Sequence, residues 1–404
     1  MEEWKEYRLT DIGTIVGGAT PSTKDPQNYD GNIAWITPKD LSNFKGRFIG
    51  RGERMITKKG YESSSCRMLP RGSVLFSSRA PIGYVAIAKN ELCTNQGFKS
   101  IIPNPNMVDN VFLYYLLVHN RRRIEGLGSG TTFKEISGQV MKNISVSLPS
   151  LNIQKQIAFI LSSLDDKIEC NQRINDNLQK QLDALFNAYF VDFNQFEEDE
   201  LEESECGLIP KGWAVASLSS IADYINGLAM QKYRPKEGEK GLPVLKIREL
   251  GQGYVDDSCE MCSPSLIGER YIVQEGDIIF SWSGTLMVKI WCGGMCGLNQ
   301  HLFVVVPGDY PKWFVYQWTK HHLNNFIRIA KDKAVTMGHI KRGELDKAKV
   351  VIPDKKRLVE IDAVMKPVFE QIIANELESR RLAEIRDTLL PRLMSGELKV
   401  NKIF

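Results

Sequence analysis

The sequence predicts an α+β chain written twice: two homologous mixed α/β domains joined by two long helices packed as an antiparallel coiled coil, an internal repeat of pseudo-two-fold character. Three observations predict it. A sparse pattern of Trp, apolar, Gly and Pro residues in 4–192 returns in 213–391. Short runs rich in β-branched and aromatic residues, bounded by Gly, Pro and Asn, fill the first part of each copy. Each copy then closes in an apolar stripe that steps alternately by four and three residues.

The repeat can be followed residue by residue. Trp4, Leu9 and Ile12 match Trp213, Leu218 and Ile221 at an offset of 209, as do Ile33 and Leu41 with Leu242 and Leu250. From Gly72 the offset settles at 204, pairing Gly72 with Gly276, Ser77 with Ser281, Asn95-Gln96 with Asn299-Gln300, Thr132 with Thr336 and Pro149 with Pro353. Apolar, Gly and Pro positions persist while polar ones drift, as expected of one fold carrying two different surfaces. A period this long marks a duplicated domain, since solenoid units run to roughly 20–50 residues.

Each globular part contains strands at 33–36, 72–77, 83–88 and 98–102, with partners at 242–247, 277–281, 288–291 and 302–306. Helical stretches follow at 111–122 and 313–324, and Thr132 and Glu135 have the spacing of a capping box, predicting a short helix that opens at Thr132. Strands running into Pro149 and Pro353 close the two domains. The predicted partition is a first domain at 1–150, a first long helix at 151–195, an acidic linker at 196–206, a second domain at 207–353, and a second long helix with its tail at 354–404.

The first stripe comprises Ile157, Leu161, Leu164, Ile168, Asn171, Asn175, Leu178, Leu182 and Leu185, and the second Ile361, Met365, Val368, Ile372, Asn375, Ser379, Leu382, Arg386 and Leu389. Both follow the heptad seam of a coiled coil, and two such helices in one chain should pack together. Asn171 and Asn375 are repeat equivalents, and asparagine in a seam fixes register and partner at a cost in stability. A helix of about 40 residues is roughly 60 Å long, so the pair is predicted to be a spacer with a domain at either end. Removing one heptad should shorten it by about 10 Å.

Charge is informative once located. The formal net charge is +3, but 197–205 holds seven acids, so the remainder carries +10. The two domains are therefore mildly basic, and the acidic stretch is expected to be a solvated, mobile linker. Composition is that of a soluble chain, 43% hydrophobic and 25% charged; the longest apolar runs fall short of the roughly 20 residues that span a bilayer, and Met1-Glu-Glu-Trp4 lacks a basic-then-apolar leader. The expected location is cytoplasmic, with no membrane partner.

Chemistry is sparse. There is no phosphate loop, dinucleotide fingerprint, His-Glu-x-x-His pair or methyltransferase Asn/Asp-Pro-Pro-aromatic tetrapeptide. Pro353-Asp354 with Glu360 does not make a nuclease cluster, and the five histidines lack a nucleophile partner by sequence. Eight cysteines in a cytosolic chain argue for thiols over bridges. Cys259, Cys262, Cys292 and Cys296 have spacings that could frame a thiolate zinc site, but the first copy has no counterpart, and free thiols are the main expectation. His321-His322 beside Lys320 is read as part of a basic face. The expectation is a non-catalytic chain with no cofactor or metal of its own.

What remains is a set of polar and basic side chains at strand ends and loops that differ between copies. Arg and Lys there would neutralise phosphates, whereas Arg79, Gln96, Arg248 and His301 could reach base edges. The candidate DNA-binding residues are Thr37, Lys39, Ser78, Arg79, Lys99 and Lys134 in the first copy, with Lys246, Arg248, Trp282, Ser283, His301 and Lys333 in the second.

The duplicated Trp-x4-Leu-x2-Ile start, the strand 72–76 leading to Arg79-Ala-Pro-Ile-Gly83, Asn95-Gln96-Gly97, Gly130-Thr-Thr132, and Pro149-x4-Gln154-x2-Ile157 entering a long helix closely resemble the specificity subunit of type I restriction-modification systems. The resemblance covers essentially the whole chain. It implies two target recognition domains, each reading half of a bipartite, asymmetric sequence in double-stranded DNA. It also implies helices that set the gap between half-sites and dock two modification (methyltransferase) subunits, with restriction (motor-nuclease) subunits completing the enzyme. S-adenosylmethionine would sit on the modification subunits. The second copy departs by having Trp282-Ser-Gly-Thr285 in place of the Arg-Ala-Pro-Ile-Gly run and no glycine after Asn299-Gln300, which questions a shared role for that loop. Two other classes fit the same residues: a stand-alone sequence-specific DNA binder, and a non-catalytic protein-interaction scaffold.

Overall fold

The fold is described from a computed structural model, which describes residues 4–42, 44–79, 81–130, 134–332 and 338–400. The chain divides into two compact units, Met1–Glu169 with Arg381–Phe404, and Cys170–Arg380. Each unit contains one mixed α/β domain and parts of both long helices, Leu151–Phe190 and Lys355–Met394. Among the described residues no helix is long and apolar enough to cross a membrane.

The first domain is built around a sheet in which Gly13–Gly17, Lys99–Pro103, Val74–Ser78, Ile82–Ala88 and Phe48–Ile49 lie side by side. Val74–Ser78 is buried along its whole length because the helix Asn110–His119 packs against it and its neighbour, so its apolar run need not alternate. That helix starts where Asp109 Oδ1 accepts the free N–H groups of Val111 and Phe112. A smaller sheet sets Tyr29–Ile36 between Met55–Ile56 and Cys93–Thr94, the last pair parallel, with Ile36 opposite Thr94. A third pairing, Lys5–Arg8 with Ser145–Leu148, closes the domain where the chain enters the long helix.

The second domain repeats the plan with the expected offsets. Ala222–Asn226, Leu302–Pro307, Asp277–Ser281 and Met287–Trp291 form its main sheet. Leu245 faces Leu298 in the parallel pairing that answers Ile36 and Thr94. Ala214–Ser217 pairs with Lys349–Ile352 as Lys5–Arg8 does with Ser145–Leu148. Its core is more aromatic: Phe190, from the end of the first long helix, lies among Trp213, Trp313, Phe314 and Trp318 at ring separations of 5.4–6.2 Å.

The long helices run antiparallel within each unit. In the first unit Ile157 and Leu161 share a core with Leu390 and Leu393, and Arg386 Nη1 donates to Asp165 Oδ1 at 2.6 Å. In the second, Asn171, Asn175 and Asn375 are all buried and bonded across the pair. Asn375 Nδ2 donates to Asn175 Oδ1 at 2.8 Å, Asn175 Nδ2 to the Ile372 carbonyl at 3.0 Å, and Asn171 Nδ2 to Ser379 Oγ at 3.2 Å. Leu182, Ile361, Met365 and Ile372 continue the core beyond this layer, with Leu178 and Val368 half-buried against it. Leu164, Ile168, Leu382 and Leu389 are half-buried as well. Towards the helix ends buried positions slip off the strict heptad, to Phe186 and Phe190 in the first helix and to Leu390 in the second. A straight 3.6-residue helix drifts by about 20° per heptad against a 3.5-residue pattern, which accounts for the slip.

Three expectations are corrected. The helical stretches predicted at 111–122 and 313–324 each fall on two helices, broken at Asn120 and His322. The helix predicted to open at Thr132, itself outside the described residues, begins instead after Ser137, whose Oγ accepts from Val140 N; Glu135 pairs in extended form with Ser129 and Arg79. The acidic linker is not a mobile coil but a hairpin of Leu201–Ser204 with Gly207–Pro210, turned at Gly207 (φ 92°) and tied down by Lys211 Nζ, which donates to the Asp199 carbonyl, and by Lys349 Nζ, 3.0 Å from Glu205. Its carboxylates remain exposed, which is how seven acids are accommodated without mutual desolvation.

Candidate nucleic-acid interface

The Asn-Gln turn is the centre of the site in both copies. In the first, Asn95 N donates to the Ile36 carbonyl at 2.9 Å and Asn95 Oδ1 accepts from Gly97 N at 2.9 Å. In the second, Asn299 N donates to the Leu245 carbonyl at 3.2 Å and Asn299 Oδ1 accepts from His301 N at 3.3 Å. Both asparagines are thus consumed in folding the turn, a local use of short polar side chains. The glutamines beside them are left at the surface.

Close backbone approach holds each turn against the preceding strand. A Cβ on Gly18 would lie 2.3 Å from the Thr94 carbonyl oxygen, and one on Gly227 would lie 2.3 Å from that of Leu298. Gly18→Ala or Gly227→Ala should therefore cost about 3 kcal/mol by overpacking, seen in thermal unfolding as a lowered transition; an unchanged transition would mean that the turn is not held this way.

The strand that ends at the turn is clamped identically. Ser78 N donates to the Gly97 carbonyl and Ile136 N to the Ser78 carbonyl, at 2.7 and 2.9 Å; Trp282 N to His301 and Ile340 N to Trp282 repeat this at 3.4 and 3.1 Å. The missing Arg-Ala-Pro-Ile-Gly run therefore does not change the loop's scaffold, only what it displays. Ser78 and Ser283 are buried, the first donating to the Gly97 carbonyl, the second 2.9 Å from His301 Nδ1, so both brace the turn from beneath. Trp282 is half-buried, donates Nε1 to Asn226 Oδ1 at 3.0 Å, and tilts over Phe303 and His301.

Around this frame the structure gathers most of the predicted residues. Arg79 and Lys99 converge on Glu135, at 3.7 and 3.4 Å, next to exposed Lys134. Thr37 donates its hydroxyl to Asp40 at 2.6 Å and opens the short helix Pro38–Ser42; Lys39 on that helix is exposed and 2.7 Å from Glu53, whose hydrogen bond, and then its charge, raises the lysine's pKa. In the second domain a cleft of about 290 Å³ is lined by Gln231, Lys246, Arg248, Asn299, Gln300 and His301. Lys246 lies 2.6 Å from Glu260, and Arg248 is bound by Glu249, Asp256 and Ser258, with Glu249 chiefly responsible for the raised pKa of its guanidinium. Lys39 and Glu53 are both exposed, and an exposed pair is weak, so Lys39 can exchange its carboxylate for a phosphate oxygen at little cost; Glu249, the chief partner of Arg248, is buried. Lys333 lies outside the described residues.

One expectation about other side chains changes. The His321-His322 pair is not a basic face: His322 stacks on Trp318 at 5.9 Å, its Nε2 is 2.8 Å from the Lys349 carbonyl, and burial lowers its pKa. Cys259, Cys262 and Cys296 are neighbours whose thiols burial pushes up, Cys262 to about 11 and Cys296 to about 12; Cys292 lies beside Glu376 and Arg380 instead. Among the described residues no group of three or more His, Cys, Asp or Glu side chains could hold a metal ion.

Sequence reasoning missed how each domain is fastened to the helices. Arg47, buried in the first domain, bonds Glu169 through Nε at 3.2 Å and also pairs with Asp166, while Tyr115 donates to Asp165. In the second domain Lys320 Nζ reaches both oxygens of Asp183 at 2.8 Å, and Gln317 joins it at 3.0 Å. No local signal announces these pairs, whose members lie 50 to 137 residues apart.

Two heads of one design, displaying different polar edges and carried on paired helices, define a duplicated recognition scaffold. The model of the type I restriction modification DNA specificity domain matches residues 1–180 and 210–386, and the chain belongs to that family. It is similar to the type I restriction enzyme MjaIX specificity subunit of Methanocaldococcus jannaschii, at 35% identity over all of this chain and 95% of the relative. The HindI specificity subunit of Haemophilus influenzae is 24% identical over 98% of this chain and all of its own. Among solved structures, the crystal structure of a type I restriction-modification S subunit from M. genitalium shares the fold with a TM-score of 0.57 at 16% identity, covering 97% of this chain and 96% of that one.

Proposed function

We propose that the chain is the DNA sequence-recognition subunit of a type I restriction-modification enzyme. Each domain reads one half of a bipartite, asymmetric target in double-stranded DNA, and the helices set the gap and dock two modification subunits. Restriction subunits complete the complex, S-adenosylmethionine is held by the modification subunits, the chain has no active site of its own, and the complex works in the cytoplasm. The single observation that carries this is the pair of equivalent turns presenting different side chains: Arg79 in one, Trp282 and His301 in the other. Identical readers would give a symmetric target; these would not.

The test is domain-resolved. Arg79→Ala should relax discrimination at one or two base pairs of one half-site, and Trp282→Ala at base pairs of the other, each by roughly tenfold or more, since a good base contact is worth about 1–3 kcal/mol. The readout is sequencing of the sites selected or methylated by the assembled complex. Damage to both halves by either variant would point to a fold defect, and a chain that assembles with no methyltransferase would defeat the proposal.

A further inference from the structure

The two copies keep one surface side chain where nearly everything around it has changed. Gln96 and Gln300 are repeat equivalents, yet their neighbours have become Trp for Ser78, Ser for Arg79, His for Gly97 and Lys for Thr37. The fold does not explain the match. The turn is folded by Asn95 and Asn299 and by the approach to Gly18 and Gly227, none of which needs an amide at the next position. Gln96 is exposed, accepts one bond on Oε1 from the Thr20 hydroxyl, and has no partner for Nε2 among the described residues. Gln300 is half-buried on the cleft, and among the described residues its Nε2 makes only a 3.4 Å contact to His301 Nε2.

A primary amide on a pre-set turn has a specific complement. Adenine alone presents, on its major-groove edge, an acceptor at N7 beside a donor at N6, which a glutamine meets with Nε2–H and Oε1 together. Gln96 retains the donor and a second lone pair on Oε1, and Gln300 retains both groups. Both turns share the bonds of their asparagines to the neighbouring strand, so the two amides occupy equivalent chain positions, and Gln300 is further held by its N–H, which donates to the Leu228 carbonyl at 2.9 Å.

We propose that Gln96 and Gln300 are specificity-determining residues of equivalent role, each reading one adenine in its own half of the target. This rests on the DNA-reading function proposed above.

The experiment uses the full chain assembled with its modification subunits and a randomised duplex library, with bound sequences read out. The wild-type complex should select a two-part motif with at least one fixed A·T pair in each half. Gln96→Ala should lose preference at one such pair in one half by roughly tenfold, and Gln300→Ala at one pair in the other half. Gln300→Glu, which keeps the shape but removes the donor, should also disfavour adenine there. Four results would overturn the inference: an unchanged motif, a uniform loss of affinity with the motif intact, lost preference at a G·C pair, or a lowered thermal transition that assigns the amide to the fold. A wild-type complex selecting no two-part motif would overturn the parent function as well, so the two failures are distinguishable.

Discussion

Seven residues inserted into each long helix at the asparagine layer will widen the gap between the recognised half-sites by about three base pairs. The insertion points are after Arg173 and after Leu377, between the layers in which Asn171 meets Ser379 and Asn175 meets Ile372. A heptad adds roughly 10 Å of helix, and the base-pair step along DNA is about 3.4 Å. Insertion is a cleaner test than the heptad removal suggested by sequence alone, because Asp165, Asp166 and Glu169 on one side and Gln179 and Asp183 on the other are occupied in fastening the domains. A heptad deleted between the two sets must come from 170–178, and every such window removes Asn175 of the buried layer. Inserting the heptad in only one helix shifts one partner past the other, so that the buried asparagine amides face apolar side chains. A buried amide without a partner costs about 1–3 kcal/mol, and several are displaced together. The single insertion should fail to give a cooperative thermal transition, while the double insertion folds and methylates sites with the wider gap. A folded double insertion that keeps the original gap would remove the ruler from the mechanism.

The sequence revealed what the physics makes periodic or local. Heptad spacing exposed both long helices because burial on one face of a helix must recur with its turn. Pro149 and Pro353 marked the ends of strands because proline cannot continue a ladder, and the recurrence of Trp4 at Trp213 and of Gly72 at Gly276 survived divergence because cores and positive-φ turns tolerate few replacements. Asn95-Gln96 and Asn299-Gln300 were visible as a repeat, but the division of labour within the dipeptide was not. Which amide folds the turn depends on the N–H two residues on, and therefore on three-dimensional closure. The acidic run was misjudged for a similar reason. Charge density predicts solvation, and the carboxylates are indeed exposed, but the backbone beneath them pairs as a hairpin through Leu201–Ser204 and Gly207–Pro210, where the side chains have no vote. Nothing local to Asp183 marks its partners Lys320 and Gln317, which lie 137 and 134 residues further along the chain.

Arg47→Ala should destabilise the first unit by about 3 kcal/mol, the cost of breaking a buried ion pair from one side. Only 3% of Arg47 and 6% of Asp165 is exposed, so without Arg47 the Asp165 carboxylate cannot turn to solvent and depends on Arg386 and Tyr115 alone. Burial alone would disfavour the guanidinium's charge; Tyr115, Asp166 and Glu169 around it outweigh that and raise its pKa. Its backbone also takes part: Arg47 N donates to Glu169 Oε1 at 3.1 Å, and Ile87 N donates to the Arg47 carbonyl at 2.7 Å, so one residue ties the edge of the main sheet to the long helix. For a unit of this size the loss corresponds to a fall of roughly 6–12 °C in the thermal transition. The sign of a second change distinguishes a charge effect from lost packing. Arg47→Met combined with Asp165→Asn leaves Tyr115 an acceptor in the amide oxygen and Arg386 a partner in Asp387, at 2.8 Å. Buried ion pairs replaced as a unit by apolar or neutral groups are often no less stable than the original, so the double variant should recover most of what Arg47→Met alone loses. If the double variant is as unstable as the single one, the fastening is one of shape, and the carboxylates along 165–169 are placed for another partner.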